Sequence, residues 1–262
     1  MRGWTSRAPH ARVDPLSTQY NIAPMTILAL ETVTRRGSLA WRDNSGVRAI
    51  TGATERTHGE RLPGEVISFL AASGHTLADI DLFAVVSGPG SFTGLRVGIA
   101  AAQGLAFAAR RPVLGIPTLD ALATAWHHHD PAPALIVACL DGQRGDVFYA
   151  AWRAIAGNGT TSFEASAAVI APSVGGGPEA AAAIASLRGE DPVVIVGSGG
   201  LRHPEAFEQL CDVRIVDAPT PIAAAAAILA AARIGQAGAP HALQPLYLRR
   251  PDALIARERS TR

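Results

Sequence analysis

The feature of this sequence that most constrains its fold is an internal duplication. An apolar strand pattern that ends in the acid Glu31, followed by a polar turn and a second strand pattern, recurs around Asp141. The two copies lie about 110 residues apart, and each is followed by a helix pattern and a buried strand pattern. This self-similarity predicts an α/β protein with two lobes related by duplication, at residues 25–130 and 131–262.

The first 24 residues do not share the pattern of the lobes. Residues 1–24 hold three arginines, three prolines and no apolar run, so they lack the composition of a secretory signal. Met25 stands directly before the first strand pattern. We therefore expect residues 1–24 to be a disordered leader or a wrongly assigned translation start.

Charge and composition exclude several classes of function. The 262 residues carry 23 basic and 22 acidic side chains, so the formal net charge of +1 provides no global attraction for nucleic acid or anionic lipid. All of these basic residues are arginine, which excludes a Schiff-base lysine and a P-loop lysine. The longest run of small apolar residues, 222–232, is far shorter than the roughly 20 residues of a membrane span. We expect a soluble, cytoplasmic protein.

The two cysteines predict no disulfide and no zinc site. Cys139 and Cys211 stand in apolar contexts and lack CxxC spacing. Their pattern is typical of buried thiols in a reducing compartment, which agrees with a cytoplasmic location.

The segment Ser87–Gly98 carries the strongest functional signal. It follows a buried strand pattern and combines closely spaced glycines with a helix start at Ser91 or Thr93. Glycines allow tight backbone, and free N–H groups at a helix start can bind an anion, so Gly88, Gly90, Ser91 and Thr93 are candidate phosphate-binding residues. The segment has neither the end of a Walker A loop nor the GxGxxG order. Turn geometry and close helix packing are the alternative interpretation.

The same segment also carries a family resemblance. Residues 88–98, GPGSFTGLRVG, together with QGLA at 103–106, resemble the signature of the TsaB (YeaZ) family. Further matches lie in four short segments: 27–32, 58–62, 140–147 and 245–249. The resemblance covers residues 25–250 and has most of its matches in the first lobe.

The resemblance implies an actin/Hsp70-like (ASKHA) fold and a role in threonylcarbamoyladenosine biosynthesis on tRNA. It implies a non-catalytic, dimerising scaffold that binds and activates the catalytic subunit TsaD and works with the ATPase TsaE. The chain alone would be a homodimer, and it would touch tRNA only indirectly. No tightly bound cofactor is implied, and ATP or ADP at the partner interface is left open.

The sequence departs from active members of this fold where chemistry is expected. ATPases of the fold place an aspartate at the end of the first strand, followed by Thr-Ser, and this chain has Glu31-Thr32-Val33. TsaD carries two metal-binding histidines on one helix, whereas His58 and His75 do not have i, i+4 spacing. The histidines at 127–129 are adjacent and predict a solvated helix end. We therefore predict no catalytic residue and no metal.

An enzymatic function is the competing hypothesis. In that case the chain would be an ATP-dependent ASKHA transferase or a glycoprotease-like metallopeptidase, using the glycine-rich turn and Glu31. The absent aspartate and the absent histidine pair favour the scaffold.

Two predicted helices are candidates for a subunit interface. Small residues follow one side of the second helix, 93–109, at spacings that allow close approach of another helix. The first helix, 62–73, has an apolar stripe. The interface candidates implied by the resemblance are Leu62, Val66, Phe69, Leu70, Gly94, Gly98 and Ala101. Packing of the second helix on the chain's own sheet is the alternative.

Overall fold

The structure, a computed structural model, describes five ranges of the chain: 25–52, 57–130, 134–154, 168–219 and 221–249. The leader predicted at residues 1–24 lies outside these ranges, so that prediction remains open.

The first half of the chain forms an antiparallel meander followed by two parallel strands. Its strands are β1 (Ile27–Glu31), β2 (Ser38–Asp43), β3 (Gly46–Thr51), β4 (Leu82–Gly88) and β5 (Val113–Pro117). Its helices are α1 (His58–Ala72), α2 (Phe92–Ala109) and α3 (Thr118–His129). The strands form a five-stranded sheet in the order β3-β2-β1-β4-β5, in which β1 pairs antiparallel with β2 and parallel with β4.

The second half repeats this topology. Its strands are β6 (Ala134–Gln143), β7 (Asp146–Ala154), β8 (Ile170–Gly176), β9 (Val193–Val196) and β10 (Val213–Val216). Its helices are α4 (Gly177–Leu187), α5 (Ser198–Arg202) and α6 (Ile222–Ala232). Read from β8, the sheet order β8-β7-β6-β9-β10 has the same succession of antiparallel and parallel pairs as the first sheet. The predicted duplication and the ASKHA fold class are therefore confirmed.

Two helices form a layer between the two sheets, and each packs on the sheet of the other half. Helix α3 packs on β6, although it belongs to the first half, and α6 packs on β1 and β2. Residues 222–231 of α6 are all buried, and their small alanine side chains allow both sheets and α3 to approach closely. Because α1 and α2 cover the opposite face of the first sheet, every residue of β1 is buried.

Two elements differ from the sequence predictions. Helix α1 begins at His58 rather than at 62, because the Glu60 carboxylate accepts hydrogen bonds from the N–H and the hydroxyl of Thr57 and caps an earlier start. Strand β8 lies in a stretch where no strand was predicted. Its sequence, IAPSVGG, has glycine and proline in place of alternating apolar residues.

Among the described residues, α2 is the helix whose length and apolar composition would by themselves suffice to cross a membrane. In the structure it packs on β4 and against α1, and its buried residues belong to the core of the first sheet. Core helices commonly have this composition.

The interface assigned to the predicted helices needs correction, because most of its side chains lie inside the chain's own core. A Cβ on Gly94 would lie 2.0 Å from the Thr32 carbonyl oxygen, and one on Gly98 would lie 2.2 Å from Thr32 Oγ1. The Thr32 hydroxyl donates to the Gly94 carbonyl at 2.8 Å. This side of α2 therefore packs on the end of β1, which was the alternative interpretation.

The apolar stripe of α1 is buried in the same way. The exposed fractions are 3% for Leu62, 1% for Val66, 6% for Phe69 and 3% for Leu70. Ala101 of α2 is half-buried against the same cluster. The four α1 side chains stabilise the lobe and are not available to a partner.

Two glycines of α2 provide a matched test of this packing. Gly98→Ala should lower the free energy of unfolding by about 1–3 kcal/mol, because the new methyl group would meet Thr32 Oγ1 in a closed interior. Gly104→Ala should be neutral or stabilising by up to about 1 kcal/mol, because a Cβ there meets no atom within 4 Å and alanine favours the helix. Urea unfolding of both variants measures the difference. Equal stability of the two variants would contradict this placement of Gly98.

Candidate functional site

A wide cleft of about 2090 Å³ opens where the two halves of the chain meet. Its walls come from the turn after β1, the start of α1, the segment that joins β4 to α2, the turn after β6, helix α5 and residues 246–249. Ligands of α/β proteins commonly bind outside the carboxyl ends of parallel strands, and β1, β4 and β6 all end at this cleft.

Glu31 ends β1 at the base of the cleft and uses its carboxylate within its own turn. Oε1 accepts the Thr34 N–H at 2.7 Å, and Oε2 accepts the hydroxyls of Thr34 at 3.0 Å and Ser38 at 2.9 Å. The residue is 2% exposed. Its oxygens therefore hold the β1–β2 turn closed instead of pointing freely into the cleft.

Burial raises the pKa of Glu31 above its ordinary value of 4.5. The hydrogen bonds from Thr34 and Ser38 and the proximity of His58 act in the opposite direction and are outweighed by the loss of solvent.

Ser38 connects this carboxylate to the other half of the chain. Its hydroxyl donates to Glu31 and accepts the N–H of Ala223, in the first turn of α6, at 3.1 Å. An otherwise unpaired amide at the start of a buried helix is thereby satisfied. Glu31 thus stabilises the contact between α6 and the first sheet.

His58 and Arg61, at the start of α1, brace the outside of the same turn. His58 Nε2 lies 2.8 Å from the Thr34 carbonyl oxygen, and Nδ1 lies 2.7 Å from an Arg61 guanidinium nitrogen. A carbonyl oxygen only accepts, so Nε2 is the ring nitrogen that donates to Thr34. Arg61 also donates to the Arg36 carbonyl and pairs with Glu65. His58 has a structural role in this arrangement.

The duplicated acid Asp141 has a role like that of Glu31. Its Oδ1 accepts the Gln143 N–H at 2.8 Å, and its Oδ2 lies 3.1 Å from Arg202 Nε. Both acids therefore accept a backbone N–H of the turn that follows them. The arrangement closes two hairpins at the cleft and gives each acid local partners.

The glycine-rich turn brings together some of the candidate phosphate-binding residues and not others. Gly90, Ser91 and Thr93 line the cleft. Ser91 is the N-cap of α2, since its hydroxyl accepts the Gly94 N–H at 3.2 Å. Gly88 is buried with φ +117°, and a Cβ there would lie 2.4 Å from the Leu246 carbonyl oxygen, so this glycine allows the C-terminal segment to approach. Phosphate binding by these residues remains a prediction.

The other chemical candidates do not form a site. Among the described residues, no group of three His, Cys, Asp or Glu side chains could hold a metal ion. Cys139 is buried, and burial raises the pKa of its thiol to about 12. Cys211 is exposed, which corrects the prediction that both thiols are buried. His127 lies inside α3 and is 4% exposed, so the predicted solvated end does not begin there.

Sequence reasoning missed an aromatic cluster on the cleft wall. The rings of Phe92 and Tyr247 stack with centroids 5.4 Å apart, and the Arg96 guanidinium carbon lies 4.0 Å from the centre of the Phe92 ring. Arg96 Nε donates to the Tyr247 hydroxyl at 3.3 Å. The closely spaced glycines indicate only a tight backbone turn, and nothing in the sequence places Tyr247 beside it.

Comparisons with known proteins add family relationships to this geometry. The family model described as "TsaD: tRNA N6-adenosine threonylcarbamoyltransferase" matches residues 52–173. The Escherichia coli "tRNA threonylcarbamoyladenosine biosynthesis protein TsaB" is 36% identical over 151 residues, which are 57% of this chain and 64% of that relative. The match thus spans less than two thirds of the relative.

Two further relatives cover more of the chain. The Mycobacterium tuberculosis protein Rv3421c is 32% identical over 231 residues, 87% of this chain and 93% of that protein. The solved structure of YeaZ from Pseudomonas aeruginosa superimposes with a TM-score of 0.69 and 25% sequence identity, and the match covers 86% of this chain and 100% of that one.

The raised pKa of Glu31 predicts a pH-dependent difference between wild type and Glu31→Gln. The folded protein binds the Glu31 proton more tightly than the unfolded chain, so wild-type stability relative to the variant should fall as pH rises from 4.5 through the folded pKa. The difference should then become constant. Urea unfolding of both proteins at a series of pH values measures it. A difference that changes in the opposite direction would show that the pKa of Glu31 is lowered.

Proposed function

Because the chain belongs to the TsaB/YeaZ family, we propose that it acts in threonylcarbamoyladenosine biosynthesis on tRNA in the cytoplasm. Its role in this proposal is that of a non-catalytic scaffold, which binds a TsaD-like catalytic subunit and activates it. A TsaE-like ATPase joins the assembly, tRNA is contacted through the catalytic subunit, and any ATP or ADP lies at the partner interface.

The observation that carries this proposal is the outward face of α1 and α2. Phe107 of α2 is 79% exposed and Ile67 of α1 is 66% exposed, the two highest values among the large apolar side chains that the structure describes. The two helices pack side by side. A Cβ on Gly64 or Gly104 would meet no atom within 4 Å, so another helix can approach the backbone there. Large exposed apolar groups on such a face are typical of interfaces.

The relationship between the two subunits supports a TsaD-like partner. The matched TsaD family model spans residues 52–173, which contain both α1 and α2. Related subunits can pair corresponding faces about an approximate two-fold axis, as identical subunits do about an exact one. The same face would therefore bind a TsaD-like subunit in the complex and a second copy of this chain in its absence.

The hydrogen bonding of the two duplicated acids supports the non-catalytic part of the proposal. Glu31 accepts three hydrogen bonds from its own turn, and Asp141 is held by Gln143 and Arg202. Either acid would have to give up these bonds to bind a metal ion or a phosphate-bound water. For the buried Glu31, such a rearrangement would leave the polar groups of the turn without partners, which is costly.

A charge on the outward face should separate partner binding from folding. Phe107→Asp should weaken binding of the purified TsaD-like subunit by at least about 30-fold, since interface hot spots contribute 2 kcal/mol or more. Its thermal stability should match wild type, because the Phe107 side chain lies mostly in water. Leu187→Asp, at the 41% exposed Leu187 of α4, is the matched control and should bind normally. Calorimetric titration, with tRNA modification in the reconstituted system, measures both variants.

Two results would overturn parts of the proposal. A folded Phe107→Asp protein that binds and activates its partner like wild type would remove the α1–α2 face from the interface. ATP hydrolysis or peptide cleavage by the purified chain alone, abolished in Glu31→Gln, would show that the chain is an enzyme.

A further inference from the structure

The C-terminal end of the described chain runs along helix α2 toward the cleft. Residues 240–249, which we call the strap, follow α6 in the sequence, and residues 240–242 pack on α2. The side-chain nitrogen Nε2 of Gln103 donates to the carbonyl of Pro240 at 2.8 Å and to the carbonyl of Leu243 at 3.2 Å. One side chain of α2 therefore holds two backbone carbonyls of the strap on the first half of the chain.

The middle of the strap is joined to the glycine-rich turn by its backbone. The Leu246 N–H donates to the Ser87 carbonyl at 2.7 Å, and a Cβ on Gly88 would lie 2.4 Å from the Leu246 carbonyl oxygen. The ring of Tyr247 then stacks on Phe92 at the start of α2. Because Ser87 and Gly88 are buried, this pairing is shielded from water and anchors the strap on the first half.

The last residue of the strap reaches the second half at the turn between β6 and β7. One guanidinium nitrogen of Arg249 donates to the Gly142 carbonyl at 2.9 Å, and another pairs with the carboxylate of Asp146. The guanidinium carbon lies 5.7 Å from the centre of the Phe148 ring. All three partners belong to β6 or β7, so the strap joins the two walls of the cleft.

The two anchors of the strap differ in strength. The first combines backbone hydrogen bonding, a ring stack and the two bonds from Gln103, whereas the second is made by the side chain of Arg249. The side chains of Arg249 and Asp146 are 27% and 40% exposed, and ion pairs with such access to water are weak. Leu248, between the anchors, packs on the shared core. The second anchor can therefore open while the first stays closed.

We propose that the strap is a latch across the cleft, in which release of Arg249 from Asp146 lets the two halves change their relative orientation. The cleft of about 2090 Å³ keeps its walls apart, so their relative position depends on the layer of α3 and α6 at its floor and on the strap. Hinge motions occur between rigid units joined in this way. The inference concerns contacts within one chain and does not depend on the proposed scaffold function.

Spin labels on the full chain, one in each half, test the latch by double electron–electron resonance. Arg48→Cys supplies an exposed label site on β3 of the first half, and the exposed Cys211 supplies the site in the second half. Cys139 is buried, and its thiol should stay unlabelled. The doubly labelled protein is the parent with which further variants are compared, and it should give one dominant distance.

Removal of the clasp should populate a second distance. Arg249→Ala should raise the fraction of this second population at least about fivefold, because the variant loses an ion pair and a hydrogen bond to a carbonyl. Asp146→Ala should act in the same direction, and the double variant should add little, because both changes break one pair. Arg153→Ala is the matched control. Arg153 also donates to a backbone carbonyl and pairs with an aspartate, Asp191, but within the second half, so the parent's distances should be kept.

Salt provides an independent measurement on the same proteins. At about 1 M salt the screening length falls to roughly 3 Å, so the second population should grow in the parent and in Arg153→Ala but not in Arg249→Ala. An Arg249→Ala protein with a wild-type near-ultraviolet circular dichroism spectrum and the parent's distances would overturn the latch, as would an equal change in Arg153→Ala. Phe107→Asp should leave the distances unchanged, so failure of the scaffold and failure of the latch are distinguishable.

Discussion

The packing of α6 on the first sheet determines how the rest of the molecule is arranged. This helix follows the last strand of the second sheet, yet it lies on β1 and β2, while α3 packs on β6. Polar contacts at both ends of α6 stabilise this packing of each helix on the sheet of the other half. Ser38 accepts the Ala223 N–H at its start, and Arg233, just after its end, pairs with Asp120 of α3 at 2.6 Å. Because the halves share a core, the cleft between them has a defined floor.

This shared core gives the acid at the end of β1 a structural role. Glu31 is bonded to Ser38, and Ser38 is bonded to α6, so moving the carboxylate toward a ligand would disturb the helix layer as well as the turn. The acid of the second half, Asp141, likewise closes the hairpin that follows it. Duplication has therefore produced two acids at equivalent places, and each accepts a backbone N–H of the turn that follows it.

The sequence predicts those parts of the fold in which local pattern and burial agree. Strand β9 and helix α6 are continuous apolar runs, so local pattern alone indicates buried elements at these positions. Strand β8 could not be predicted, because its glycines and proline give no alternation of apolar side chains. The strand is held in the sheet by its pairing with β7. The spacing of the small residues indicates that Gly98 lets another element approach α2 closely. It does not indicate that this neighbour is Thr32. The Phe92–Tyr247 contact joins residues far apart in sequence, which no local rule connects.

Helix α2 connects the cleft to the outward face to which we assign partner binding. Its first residue, Phe92, belongs to the cleft, and Phe107, near its other end, belongs to the outward face of α1 and α2. With a rise of 1.5 Å per residue, these positions are about 22 Å apart along the helix. Gly94 and Gly98 allow the first turns of α2 to lie directly on Thr32. The contact is so close that the helix cannot shift there without meeting the Thr32 backbone. A partner at Phe107 would therefore contact an element that is anchored at its other end by the packing on Thr32 at the end of β1.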